Sequence, residues 1–228
     1  SGGRSTSMGS ITTASGYAST AMGYETTASG YASTAMGYRT SASGDFSIAM
    51  GLRTYAIGNK TTAMGAYTTA SDYASLVVGQ YNSSGSSVTN SATSFSTSNT
   101  AFVIGNGVDS SNKSDAFKVM FNGDTTVGGD ITISSDARLK SNIVSLGSTL
   151  SKLLLIDGKS YEKDGKQRIG VLAQEIQEVF PELVTEDGNE MLAVNYQGLV
   201  PVLINALKEQ DEKINRLEKL VEKLVANQ

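Results

Sequence analysis

A serine and a lysine five residues apart, Ser135 and Lys140, are the residues of this 228-residue chain whose types and spacing can do chemistry. A hydroxyl becomes a nucleophile when an adjacent base takes its proton, and a neutral amine can be that base. The chain has no histidine and no cysteine. A Ser-His-Asp triad, a thiolate nucleophile, a disulfide framework and a zinc–thiolate site are therefore excluded. The bond within reach is the one preceding the nucleophile. Attack of Ser135 on the carbonyl carbon of Ser134 would cut the chain between Ser134 and Ser135, through an ester that water then opens. A lysine is protonated in neutral water, so Lys140 needs burial or a nearby cation to act as base. Arg138 is a candidate cation, sharing a face with Lys140 on a strand but not on a helix, and Asp136 is the other supporting charge. The oxyanion would need backbone N–H donors, and no motif points to them. The same run also reads as a helix N-cap followed by solvated charges.

The elements that must position this pair lie on either side of a sharp change in composition. Before it the chain is built from Ser, Thr, Ala, Gly and Tyr; after it come Lys, Glu, Leu and Ile in helical spacing. Three separated stretches follow in order: Ser134-Ser-Asp-Ala-Arg-Leu-Lys-Ser-Asn-Ile143, Ile169-Gly-Val-Leu-Ala-Gln-Glu-Ile-Gln-Glu-Val-Phe-Pro-Glu-Leu-Val184 and Asn195-Tyr-Gln-Gly-Leu-Val-Pro-Val-Leu-Ile204. Together they closely resemble the intramolecular chaperone of endosialidase family, from about residue 134 to the end. The resemblance implies a domain that helps a trimeric fibre fold and then cuts itself off through a Ser-Lys dyad, which maps onto Ser135 and Lys140.

Within residues 134–228 the pattern predicts a small α+β body. A helix over 148–155 buries Leu150, Leu153 and Leu154. A hairpin pairs 159–163 with 168–172 around Asp164-Gly165. Leu172, Ile176 and Val179 mark a helix that Pro181 stops. A second hairpin turns at Asp187-Gly188. A last helix starts near Asn195, with Pro201 in its first turns. Val200, Leu203, Leu207, Gln210, Ile214, Leu217, Val221 and Leu224 follow the three-four spacing of a coiled coil. Apolar Ile204, Ala206, Leu220 and Val225 widen that seam towards three strands, so a homotrimer joined through Leu203, Leu207, Ile214, Leu217, Val221 and Leu224 is the expected partner arrangement.

Residues 1–85 repeat. Glycine recurs every seven residues from Gly9 to Gly65 and again at Gly79, with Asp72 as the break, and Ala stands two positions before each from Ala14 to Ala70. The finer period is fourteen, with Met22, Met36, Met50 and Met64 before alternate glycines. Such regularity indicates a stacked array rather than a linker. Glycine every seventh residue disfavours helix, so short strands of about five residues, each closed by a glycine at positive φ, are expected, two to a coil. The interior is expected to be thin and lined by Ala, Thr and Met. The run Tyr-Ala-Ser-Thr-Ala-Met-Gly-Tyr resembles the head repeats of trimeric autotransporter adhesins. That resemblance implies a left-handed parallel β-roll in threes. Those adhesins end in a membrane barrel whereas this chain ends in the chaperone-like part, so the export route does not carry over. The tyrosines after the glycines are read as stacked rings shielding edges or seams.

Residues 86–133 form a neck. Ser83 to Thr100 reads as irregular, with Val88 and Phe95 as its bulky anchors, and 116–127 as a hairpin around Asn122-Gly123-Asp124. Its aspartates match no calcium loop, and neither a metal nor any other cofactor is expected. A net charge of −4 makes no broad claim on nucleic acid or anionic membrane, and no apolar run spans a bilayer. The opening Ser-Gly-Gly falls in mid-pattern, as in an excerpt of a longer protein. The expectation is an extracellular segment at a cell surface or on a phage virion. Its fold is a mainly β roll followed by an α+β domain ending in a long coiled-coil helix. Its function is that of a self-cleaving serine endopeptidase acting once on its own chain. The alternatives are a non-cleaving structural trimer, or an adhesin whose repeats bind a host receptor or glycan.

Overall fold

The computed structural model describes residues 2–227, which divide into two compact units between Ser134 and Ser135. In the first, five-residue strands β1 (Thr6–Ser10), β3 (Thr20–Tyr24), β5 (Thr34–Tyr38), β7 (Ile48–Leu52), β9 (Thr62–Ala66) and β11 (Leu76–Gln80) alternate with two-residue strands. These short strands are β2 (Thr13–Ala14), β4 (Thr27–Ala28), β6 (Ser41–Ala42), β8 (Tyr55–Ala56) and β10 (Thr69–Ala70). The long strands stack parallel on one side of a β-roll and the short ones on the other. Each residue pairs with its counterpart fourteen positions on, as Ala21 with Ala35 and Met22 with Met36.

The interior is thinner than the composition suggests. Ala14 to Ala70 and Val77 form its apolar lining, with Ser19, Thr26, Ser33, Thr40 and their repeats beside them. The methionines do not join them. On β3 and β5 they alternate with the buried alanines and face outward, and Met8 is 56% exposed and Met50 36% exposed. Periodicity identifies a recurring position but not its face. Strand alternation, with Ala already turned inward at the preceding residue, sends Met out. A buried methyl is worth about 0.8 kcal/mol, against an ordering cost of about 1–2 kcal/mol per residue. An alanine-lined interior therefore does not hold the roll by itself, and the stacked backbone hydrogen bonds and the outer Met, Thr and Tyr columns must contribute.

The glycines divide into two kinds. Gly37 lies at φ +125°, but Gly30 has no positive φ, and a Cβ on either would come 2.0–2.1 Å from a carbonyl oxygen of the next coil. Close approach, not conformation alone, fixes the seven-residue register. The positive-φ corner sits two residues after each glycine and is occupied by ordinary residues such as Ala32, Arg39 and Arg53. From Ala18 to Tyr81 each such corner is tied to the neighbouring coil, as in Arg39 N–H to the Tyr24 carbonyl at 2.9 Å.

Residues 81–99 leave the strand repeat but stay bonded to the roll, as in Ser71 N–H to the Gly85 carbonyl at 2.9 Å and Asn59 N–H to the Ala92 carbonyl at 2.8 Å. Val88 and Phe95 are both exposed rather than buried, although Phe95 packs edge-on against Phe121 at 5.1 Å between ring centres; polar side chains also hold this excursion. Strand β12 (Thr100–Asn106) rejoins the sheet beside β11, with Gly79 opposite Gly105. Antiparallel β13 (Asp115–Met120) and β14 (Thr125–Val127) extend it around the Gly123 turn.

In the second unit, α1 (Leu150–Leu153) is shorter than the pattern predicts and leaves Leu154 74% exposed. Hairpin β15 (Lys159–Lys163) and β16 (Lys166–Gly170) closes at Asp164 and Gly165, both at positive φ. Helix α2 (Ala173–Val179) begins one residue after Leu172, which stays half-exposed outside it. A second hairpin follows, β17 (Val184–Glu186) and β18 (Leu192–Val194). Its positive-φ residue is Glu190, not Gly188. A single turn at Tyr196–Gly198, capped by Asn195, leads into α3 (Leu199–Ala226), 28 residues and about 42 Å long. Ile176, Phe180, Leu183 and Val202 form the core, with Leu153, Val179 and Val194 packed around it.

Candidate functional site: the Ser135–Lys140 turn

Residues 128–148 are exposed and contain a single short turn at Ala137–Leu139. Asp136 caps it, accepting the Arg138 backbone N–H on Oδ1 at 2.8 Å. The chain closes with Leu139 N–H donating to the Asp136 carbonyl and Lys140 N–H to the Ala137 carbonyl, both at 3.1 Å. This turn brings the Lys140 amine back to Ser135, with Nζ donating to Oγ at 2.7 Å. Once deprotonated, the amine at that separation could accept the hydroxyl proton instead.

The structure places Arg138 in a turn, where it engages its neighbour Asp136. Its Nε lies 3.0 and 3.1 Å from the two carboxylate oxygens, and its terminal nitrogen 2.6 Å from Oδ2. The guanidinium holds the Asp136 carboxyl below the usual carboxylate range and is itself raised by the pairing. A cation matched in this way has less net charge to offer Lys140 than a lone arginine would. Ser134 and Ser135 are both exposed.

Residues 135–185 match the family model of the chaperone of endosialidase. Residues 1–26 and 28–54 match two copies of the YadA head domain repeat. The chain is also similar to long tail fiber proteins Gp37. It is 36% identical over 100 residues to that of Enterobacteria phage K3, covering 39% of this chain and 8% of the relative. It is 31% identical over 108 residues to that of Salmonella phage S16, covering 42% and 14%. It is 30% identical over 101 residues to that of Enterobacteria phage M1, covering 39% and 40%. The matched stretch thus spans 8% to 40% of the length of these relatives.

The body of the second unit is braced by a residue that carries no motif. Glu209 on α3 caps α1 from about sixty positions away, accepting the Ser148 hydroxyl at 2.6 Å and the backbone N–H groups of Thr149 and Leu150. These donors hold its carboxyl below the ordinary value. Buried Thr149 donates to the Val202 carbonyl at 2.8 Å. On α3 the buried side is Val202 and Ala206, whereas Leu203, Leu207, Ile214, Leu217, Val221 and Leu224 are exposed in the single chain. Val200 is exposed as well.

In the roll unit the overlooked residues are Asp72, Asn82 and Asn99, all buried. Asp72, standing where the period calls for glycine, accepts the N–H groups of Thr89 and Thr100 at 2.6 and 2.8 Å. Asn82 pairs with both backbone groups of Thr69 at the end of the short-strand sheet, and Asn99 does the same for Ser91. The break at Asp72 was the visible signal; its partners lie in aperiodic sequence. Tyr17 stacks on Tyr31 and Tyr24 on Tyr38, at 5.4 and 5.2 Å between ring centres. Stacking covers one face of each ring, and all four tyrosines remain partly exposed. Among the described residues no group of His, Cys, Asp and Glu could hold a metal ion, and no helix is long and apolar enough to cross a membrane.

Proposed function

We propose that this chain is a segment of a trimeric phage tail fibre, extracellular and part of the virion. Its C-terminal domain directs trimer folding and then releases itself by cutting between Ser134 and Ser135. The observation that carries the chemistry is the 2.7 Å approach of the Lys140 amine to the Ser135 hydroxyl, within a stretch matched by the chaperone family. The neutral amine takes the hydroxyl proton as Oγ adds to the Ser134 carbonyl carbon. Collapse breaks the C–N bond, the Ser135 nitrogen leaves as an amine carrying that proton, and the Ser134 acyl group rests on Oγ as an ester. Water hydrolyses the ester to a Ser134 carboxylate and restores the hydroxyl. The nucleophile and its target bond are covalently adjacent, so proximity supplies much of the rate.

Trimerisation is supported by the exposed apolar stripe of α3 and by the exposed Met8 and Met50 on the outer side of the roll. Lys140 is exposed in the single chain, and a base must lose its proton to work. Neighbouring subunits are therefore assigned the task of desolvating it, which makes the cut a report of completed assembly. Following refolding by denaturing gel and intact mass tests this. Wild type is expected to yield two fragments with a new N-terminus at Ser135, while Ser135→Ala and Lys140→Ala remain intact and still trimerise. Fragments from Ser135→Ala, or a new N-terminus elsewhere, would refute the mechanism.

A further inference from the structure

We propose that Asp136 is a positioning residue for the cleavage, holding the Ala137–Leu139 turn that returns Lys140 to Ser135 while it pairs with the Arg138 guanidinium. The inference rests on the self-cleavage reading above. Five residues of extended chain would separate the two Cα atoms by about 17 Å, too far for a lysine side chain to span. A turn between them is required. This one buries no residue of its own, and Leu139 at its end is 74% exposed. What supports it is local: two backbone bonds and the Asp136 cap.

The same carboxylate also takes the guanidinium. Arg138 is 88% exposed and Asp136 43%, and an exposed pair of this kind adds little to stability. Its consequence is the arrangement of charge beside the amine. The charged side chains beside Lys140 within its own exposed segment are Asp136 and Arg138. Paired, the two nearly cancel. Left alone, Arg138 would favour the neutral amine and Asp136 the ammonium.

The two duties separate by substitution. Asp136→Ala removes cap and charge, and the assembled full-length trimer is expected to cleave about tenfold more slowly across the pH range. Asp136→Asn keeps a capping oxygen, so it should slow cleavage less, while the freed Arg138 moves the alkaline rise of the rate to lower pH. Arg138→Gln should move that rise to higher pH, and Asp136→Asn with Arg138→Gln should bring it back towards wild type. A merely structural role would change the rate without moving the profile. Four superimposable pH profiles, or wild-type cleavage by Asp136→Ala, would overturn the proposal.

A second readout does not depend on cutting. In uncut Ser135→Ala trimer labelled with 15N-arginine, the Arg138 Nε–H resonance should shift when Asp136→Asn is added. No shift overturns the clamp whatever the gels show. A shift in a protein whose wild type never cuts would mean that self-cleavage itself has failed, and with it the role assigned to Asp136.

Discussion

Four threonines inside the roll should be better replaced by valine. The hydroxyls of Thr26, Thr40, Thr54 and Thr68 are sealed from solvent and have no hydrogen-bond partner. Leaving a buried hydroxyl unpaired costs about 1–3 kcal/mol, and valine keeps the branched shape without the polar atom. Each Thr→Val change should therefore stabilise by about 1 kcal/mol, raising Tm by about 2–4 °C for a chain of this size. The sites stack on successive coils, so they will couple, and all four together should give about 2–4 kcal/mol. Thr61 is the internal control. It is equally buried, but its hydroxyl donates to the Gly58 carbonyl at 2.7 Å, so Thr61→Val should lose about 1 kcal/mol. Thermal melting at fixed protomer concentration, necessary for an oligomer, checks both signs. Thr40→Val as destabilising as Thr61→Val would show that the orphan hydroxyls have partners and would refute the reasoning.

Ile214→Asp with Leu217→Asp on the exposed α3 stripe should abolish the trimer; light scattering that finds a folded monomer or dimer in the parent would defeat the trimer proposal. Gly37→Ala sets a Cβ 2.1 Å from the Gly51 carbonyl oxygen and should cost several kcal/mol in a melt, whereas exposed Ser29→Ala should cost under about 0.5 kcal/mol. Ser33 is unsuitable as the tolerant comparison, because it is buried and donates to the Gly30 carbonyl at 2.8 Å. The folded state holds the Glu209 carboxyl below its usual 4.5, so the stabilisation from this group is present above that pH and is lost as pH falls through the folded value. Urea melting of Ser135→Ala at pH 7 and pH 3.5 should show a loss on acidification that shrinks when Glu209→Gln is added.

The repeating part of the fold was legible because glycine and alanine there answer to local sterics: a Cβ at Gly30 or Gly37 meets the next coil's carbonyl oxygen, and the alanines two positions before the glycines are sealed in a narrow interior. The facing of Met22 was not legible from its period alone, since fourteen-residue spacing is the same on either side of a strand. Hairpins announced by Asp164-Gly165 and Asn122-Gly123 fell close to expectation because turn chemistry is local. Asp72 and Glu209 were not assigned their structural roles, since their partners, Thr100 and Thr149, lie 28 and 60 positions away. In the Ser135–Lys140 segment the residue types suggested the chemistry. The one-turn helix that Asp136 caps agrees with the N-cap reading of the run, but that reading left Arg138 solvated and did not include its pairing with Asp136.

The excursion at residues 81–99 has an arithmetic consequence. A lattice of fourteen-residue rungs accepts added chain only under narrow rules. Seven extra residues inside a coil would put long-strand positions against short-strand ones, and any other number short of fourteen would set glycines against side chains. The excursion escapes those rules, because it leaves after Gln80 and rejoins at β12 with Gly79 still facing Gly105. Its length is invisible to every pairing downstream. New surface can therefore be spliced in without retiming the rest of the stack, provided that it falls between the points where the excursion ties back to the roll, at Asn82, Gly85, Thr89, Ser91 and Ala92.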